Sequence, residues 1–428
     1  MRILVALWAL LVAGHATAVE IEKVPLKGGV EAWLVESHSL PMVHVQVSFK
    51  AGSVYDPADA HGLASLTAQM ITEGSGEDNA QAFAQKLEAV GALMTSNANK
   101  LSATTAMRML AEHKDQSFKL FRQALTQPRF DEVAFKRVQD AVLTGIRAGL
   151  QNPSQVASKL RDQYVYDGTA YAHSTDGTVA TVSALQKADV QNFYNKHYNQ
   201  QNMVISVVGA ITADELQDQL NPLIEALATG QNFDFPAAQT NPIPLVLRQE
   251  MAVPQSTVYM AHSGITRDDP DYYAAYVMNY ILGGGGFNSR LMEEIREKRG
   301  LAYGVYSYFE PLPKGGAFVV TVSTKNEDVH KSIDLIKQQM SAIQKGVSDK
   351  EYQGAQAYLK GSFPLRLDSS SKVLGYLNMM QLHNMGVDYL NNWTKRIGQV
   401  TQADVARVAK RLLKPNAMVT VIVGQNHE

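Results

Sequence analysis

The residues in this chain best suited to chemistry are Arg296 and Tyr303, seven positions apart. A guanidinium carries five donors in a fixed fork and a phenol adds one more. Together they suit polarising a peptide carbonyl. They lie in Gly283–Tyr308, GGGGFNSRLMEEIREKRGLAYGVYSY. The glycine run leads through Asn288 and Ser289, both suited to helix N-capping, into a short charged helix. Gly300 stops that helix, and Tyr303, Tyr306 and Tyr308 mark a strand. If the strand folds back along the helix, guanidinium and phenol point into the same space. A second reading stays open, because charged residues on a short helix are usually a solvated face and strand tyrosines usually pack. Gly283–Gly286 is no phosphate loop, since no GK[ST] follows. It suits close backbone approach at a tight turn, and Gly284 and Gly285 join the pair as candidate substrate contacts.

The stretch YILGGGGFNSRLMEEIREKRGLAYGVYS resembles the C-terminal-half signature of the pitrilysin and mitochondrial-processing-peptidase family of zinc peptidases, the inverzincins. DDPDYYAAYVMNYILGG, which leads into it, also fits. The resemblance implies that Arg296 and Tyr303 help hold substrate and stabilise the oxyanion.

Catalytic members of that family carry H-x-x-E-H on the first helix of the N-terminal half, two zinc-binding histidines and a general base, with a further glutamate downstream. Catalytic zinc needs three protein donors and an open position for water. The matching stretch here is HGLASLTAQMITEGSG. Gly62, Leu63 and Ala64 fit the lead-in, but Ser65 and Gln69 replace the histidines and Ala68 replaces the base. Downstream, FKRVQDAVLTGIRAGL offers only Asp140. None of the eleven histidines forms an H-x-x-x-H pair. His38 and His44 flank Pro41 at no standard metal spacing, and His61 reads as a helix-start residue. Ser65 lacks a nearby base and a G-x-S-x-G setting for nucleophilic catalysis. The sequence therefore predicts no metal on this chain.

The elements that must position these residues follow from length and patterning. A chain of 428 residues exceeds what one core usually supports. A net charge of −2 with interspersed signs points away from nucleic acid, and the lack of cysteine removes disulfides and thiolate chemistry. MRILVALWALLVAGHATA has one arginine, an apolar run too short to span a bilayer, and a small-x-small end. It reads as a signal peptide, residues 1–18, cleaved after Ala18, which implies a periplasmic protein. Strand patterns at Val19–Val24, Val30–Glu36 and Met42–Ala51 precede helices near His61–Thr72 and Ala80–Val90. A strand pair over Ala92–Met109, long helices, the strand Met203–Gly209 and the helix Ala213–Thr229 follow. GQNFDFPAAQTNPIPLV is the linker candidate. The pattern then restarts: strand Gln255–Gly264, helix Tyr272–Leu282, the Arg/Tyr stretch, strand Ala317–Thr324. Helices near Val329–Gln344, Asp349–Leu365, Ser370–Gly386 and Ala403–Leu413 lead to the strand Met418–Val423.

The predicted organisation is a peptidase-like domain at 19–230 with a degenerate zinc motif, a linker at 231–247, and a second such domain at 248–428 carrying the Arg/Tyr motif. A layout echo between MITEGSGEDNAQAFAQKLEAVGALMTSNAN and YILGGGGFNSRLMEEIREKRGLAYGVYSYF supports duplication. The fold class is α+β, two similar halves of antiparallel sheet backed by helices, arranged as half of a clamshell. The resemblance implies a non-catalytic subunit of a heteromeric zinc endopeptidase. Zinc and H-x-x-E-H would then belong to a homologous partner, and Arg296 and Tyr303 would act in trans on a peptide. A peptidase-derived binding or structural protein is the alternative.

Overall fold

Alternation in Met42–Phe49 buries Val43, Val45 and Val47 on one face of a strand, and Gln255–Ser263 buries Val258 and Met260 in the same way. Two sheets grow around these strands. The computed structural model describes residues 19–240 and 243–425, so the expected signal peptide, residues 1–18, lies outside the described residues.

The first half opens with β1 (Glu22–Pro25), β2 (Glu31–Glu36) and β3 (Met42–Phe49), then α1 (Leu63–Met70) and the short pair β4 (Gly74–Ser75) and β5 (Asp78–Asn79). It continues through α2 (Ala80–Ala89), β6 (Leu93–Ala98), β7 (Ala103–Leu110), α3 (Lys114–Thr126), α4 (Glu132–Gly149) and α5 (Pro153–Val165). It closes with α6 (Val179–Ala184), α7 (Lys187–His197), β8 (Met203–Gly209) and α8 (Ala213–Ala226). The second half begins with β9 (Leu245–Glu250), β10 (Gln255–Ser263), α9 (Tyr272–Asn279), β11 (Ala302–Leu312) and β12 (Gly315–Lys325). Then come α10 (Val329–Ile343), α11 (Asp349–Gly361), α12 (Ser370–Leu382), α13 (Tyr389–Gln399), α14 (Gln402–Leu412) and β13 (Val419–Gly424).

The sheets run β1-β2-β8-β3-β7-β6 and β9-β13-β10-β12-β11. Apart from β1 the orders coincide, and each sheet has one parallel pairing in the corresponding place, β2 with β8 and β9 with β13. The other pairings are antiparallel. Duplication is thus visible strand by strand, with β11 in the place of β6. Local signals start many of the helices. Asn152 caps α5 with Pro153 behind it, and Thr212–Glu215, Ser348–Glu351 and Thr401–Asp404 form capping boxes.

Each half lends a helix to the other. From the first half, α5 crosses β10 and β13, and from the second, α12 crosses β8 and β3. Gln381 of α12 donates to the Ile205 carbonyl (2.9 Å) and Ser206 Oγ (2.8 Å). Arg161 of α5, 4% exposed, donates to Glu310 Oε1 (3.1 Å) and also pairs with Asp162, which Lys100 reaches at 2.9 Å.

Two elements differ from the pattern reading. Residues 231–240 run without regular structure, held where Tyr55 donates to the Asp234 carbonyl and where Ala238 is buried, and β9 then begins at Leu245 inside the expected linker. Almost all of β9 is exposed, so it carries no alternation to read. The stretch after Gly386 forms α13, which buries Tyr389, Trp393 and Ile397.

Candidate functional site

The glycine run grows out of α9. A π-helical turn, Tyr280–Gly284, and a 3₁₀ turn, Gly286–Asn288, carry the chain round, with Gly286 left-handed at φ 56°. A Cβ on Gly284 would lie 2.6 Å from Asn279 Nδ2, and one on Gly285 2.7 Å from the Tyr280 carbonyl. The run is therefore as narrow as backbone allows. Asn279 holds it to β11, donating to the Ser307 carbonyl (3.0 Å) and accepting from Ser307 Oγ (2.7 Å).

The expected charged helix follows as a π-helical segment, Met292–Glu297, with the Lys298 amide donating five residues back to Glu293. Met292 and Ile295 anchor it in the core and leave Arg296 on the open side. The predicted caps do not form: Ser289 Oγ donates back to the Gly286 carbonyl rather than receiving a helix N–H. The predicted stop does form, since Gly300 is left-handed at φ 63° and its amide bonds the Arg296 carbonyl.

β11 then returns along this segment. Its register with β12 slips between Ala302 and Gly304, so Tyr303 is the extra residue of a β-bulge. Regular alternation from buried Val305 would aim residue 303 at the core. The bulge buries Ala302 instead and turns Tyr303 out, 85% exposed. The Arg296 guanidinium carbon lies 5.2 Å from the Tyr303 ring centre and 4.5 Å from that of Phe287. The cation is thus fixed by two aromatic rings, each contact worth about 0.5–1 kcal/mol at an exposed site. Its Nη1 also reaches Glu297 Oε1 at 2.7 Å. Phe287, 65% exposed, is a contact that residue patterning missed.

Gly283–Gly286 do not share the space between these rings. They line one side of a neighbouring cleft of about 690 Å³ whose other walls include Tyr276, Tyr280, Tyr306 and Trp393. Tyr306 faces this cleft from the strand that carries Tyr303.

The positions that match the zinc motif lie on α1. Asp56 caps it, accepting from the amides of Gly62 and Ala64 at 2.8 Å each, and burial pushes its carboxyl up to about 7 against those donors. Ser65 Oγ donates to Asp176 Oδ1 (3.1 Å) and accepts from Gln69 Nε2 (3.3 Å), while Ala68 is fully buried. A hydroxyl, a methyl and an amide do not fit a zinc ion. Among the described residues no three His, Cys, Asp or Glu side chains gather as a metal would need. Asp140 is exposed on α4. His61 lies in the turn before α1, its ring stacked 3.6 Å from that of His173, and burial followed by the neighbouring imidazole lowers its pKa.

Comparison with known proteins follows this geometry. Residues 32–179 match the family described as insulinase (peptidase family M16), and residues 184–359 match the peptidase M16 inactive domain. A crystal structure of a peptidase M16 inactive domain from Pseudomonas fluorescens is 31% identical with a TM-score of 0.90, covering 95% of this chain and 98% of that one. A non-peptidase homolog, YmxG, of Helicobacter pylori is 26% identical, covering 88% of this chain and 91% of its own. An uncharacterized zinc protease of Streptomyces coelicolor, also 26% identical, covers 96% and 91%.

Proposed function

The chain belongs to the M16 peptidase family, and from that membership we propose that it is the non-catalytic subunit of a heteromeric zinc metallopeptidase. In this role it forms half of a clamshell, and a homologous partner with an intact H-x-x-E-H supplies the other half. The observation that carries the reading is the Arg296 guanidinium packed against Phe287 and Tyr303, displayed on a chain whose motif positions are Ser65, Ala68 and Gln69. The name of the Helicobacter relative supports a protein without its own peptidase activity.

Zinc, held by the partner, would supply the activated water. Arg296 and Tyr303 do the work of this chain. Both are donors, and both stand on rigid elements, a core-anchored π-helical segment and a bulged strand. Contacts with the two rings hold the guanidinium in place, so little reorganisation would be needed as charge develops on a scissile carbonyl. Gly284 and Gly285 give the substrate backbone room beside them. The N-terminal eighteen residues favour a periplasmic location for the complex.

Cleavage of a quenched peptide tests the proposal, with this chain alone and then with an H-x-x-E-H homologue from the same genome. Chelator-sensitive cleavage only in the mixture supports it. Silence in both, with no complex on sizing, returns the chain to the binding-protein alternative, and activity from this chain alone overturns it.

A further inference from the structure

The cleft beside the glycine run collects hydrogen-bond donors and no carboxylate. Of its lining residues only Arg267 and Arg366 are charged. Neither makes an ion pair among the described residues. Arg366 donates to the Tyr276 hydroxyl at 2.7 Å and Arg267 to the Tyr272 hydroxyl at 3.1 Å. The rings of Tyr272 and Tyr276 stand 6.4 Å apart, so one tyrosine ladder joins the two guanidinium groups.

Two further donors on this wall lack acceptors. Arg267 Nε is buried without a partner, and so is the indole N–H of Trp393, a side chain only 3% exposed. A buried donor left unpaired costs about 1–3 kcal/mol, more when it is charged. Two such atoms on residues lining one cleft, beside two guanidinium groups without ion pairs, leave this wall richer in donors than the chain's own acceptors satisfy. The flanking surfaces are aromatic: Tyr280 stacks on Tyr358 at 5.1 Å, and Trp393 meets Tyr276 edge-on at 5.0 Å.

We propose that this cleft binds the carboxylate of a peptide, with the neighbouring apolar side chain laid on the aromatic walls and the peptide backbone against Gly283–Gly286. Arginine recognises a planar carboxylate through paired donors, and an acceptor-poor wall repels no anion. The inference goes beyond the subunit reading and needs no partner, because every group it uses belongs to this chain. It can fail while that reading stands, and the reverse.

Isothermal titration of the purified chain tests it with three peptides: Ala-Ala-Phe as the free acid, Ala-Ala-Phe amide, and Ala-Glu-Phe amide. The free acid is expected to bind about tenfold or more tightly than the plain amide. Arg366→Gln is expected to erase that difference. If Ala-Glu-Phe amide matches the free acid, an acidic side chain serves as the ligand; if it matches the plain amide, the chain end does. Either result supports a carboxylate site. Equal binding of acid and plain amide, or no heat from any peptide at millimolar concentration, overturns it. Should Arg366→Gln not fold, Arg267→Gln puts the same question, and the comparison of peptides on the unaltered chain needs no variant.

Discussion

Gly283 lies against Ser307 so closely that a Cβ would come within 2.5 Å of Ser307 Oγ and 2.8 Å of its amide. One of those atoms is backbone and cannot turn aside, so this contact sets how near the glycine run approaches β11. Gly283→Ala is expected to destabilise the chain by about 1–3 kcal/mol through overpacking. Gly286 meets nothing within 4 Å and needs only its left-handed φ, which asparagine tolerates. Thermal denaturation that ranks Gly283→Ala well below Gly286→Asn would confirm the distinction; equal melting points would refute it.

Tyr303 is mostly exposed, and Arg296 is held by two rings and the exposed Glu297 carboxylate. Tyr303→Phe and Arg296→Lys are therefore expected to leave the melting temperature unchanged. With the zinc-bearing partner present, each is expected to lower turnover by about 10²–10³ while assembly persists. Steady-state kinetics beside a sizing column separates the effects, and unaltered turnover in both variants removes the oxyanion role.

Arg161 is buried among Asp162, Glu310 and Tyr308, and burial already raises the Glu310 carboxyl despite the guanidinium beside it. Arg161→Met is expected to cost about 3–5 kcal/mol by stranding a buried acid. Adding Glu310→Gln is expected to recover part of the loss. Urea denaturation of the single and double variants checks this, and an additive double variant would show that the two side chains are independent.

Asp56 holds its proton in the fold at pH values where the unfolded chain has lost it. Its contribution to stability is therefore fully present below the ordinary carboxyl value of 3.8 and is lost as pH rises through about 7. Asp56→Asn removes this titration. The melting temperature of the natural chain, relative to Asp56→Asn, is expected to fall between pH 4 and 7, and parallel curves across that window would contradict the assignment.

Ser65→His, Ala68→Glu and Gln69→His together would rewrite the motif letters without rebuilding a site. Ala68 is fully buried, so a glutamate there is forced into packed surroundings, and the two acids of α4, Glu132 and Asp140, are exposed. The triple variant is expected to melt lower and to hold no stoichiometric zinc by metal analysis. Tight zinc binding would show that the motif positions are nearer to function than their side chains indicate.

Several of these relationships could be read from the chain and others could not, for physical reasons. Gly300 and the strand after it allowed Arg296 and Tyr303 to meet if that strand folded back along the helix, and it does. The bulge had a trace in the three-residue gap between Tyr303 and Tyr306, where Gly304 interrupts the alternation. Phe287 left none, because one aromatic after a glycine run carries no period. The spacing of Tyr389, Trp393 and Ile397 was helical, and only the preceding Gly386 obscured α13. The cleft donors stretch from Arg267 to Trp393, and no local window contains them. The apolar faces of α5 and α12 show that these helices are covered, but amphipathicity does not say by which sheet.

That exchange of helices bears on motion. A chain whose halves each lie under a helix of the other, with the Arg161 cluster between them, has no free hinge at residues 231–240. Opening one half away from the other would expose apolar surface on both sheets at once. In the proposed complex, a gap through which a peptide enters would then open and shut against the partner subunit, because opening within this chain would have to break the α5 and α12 contacts.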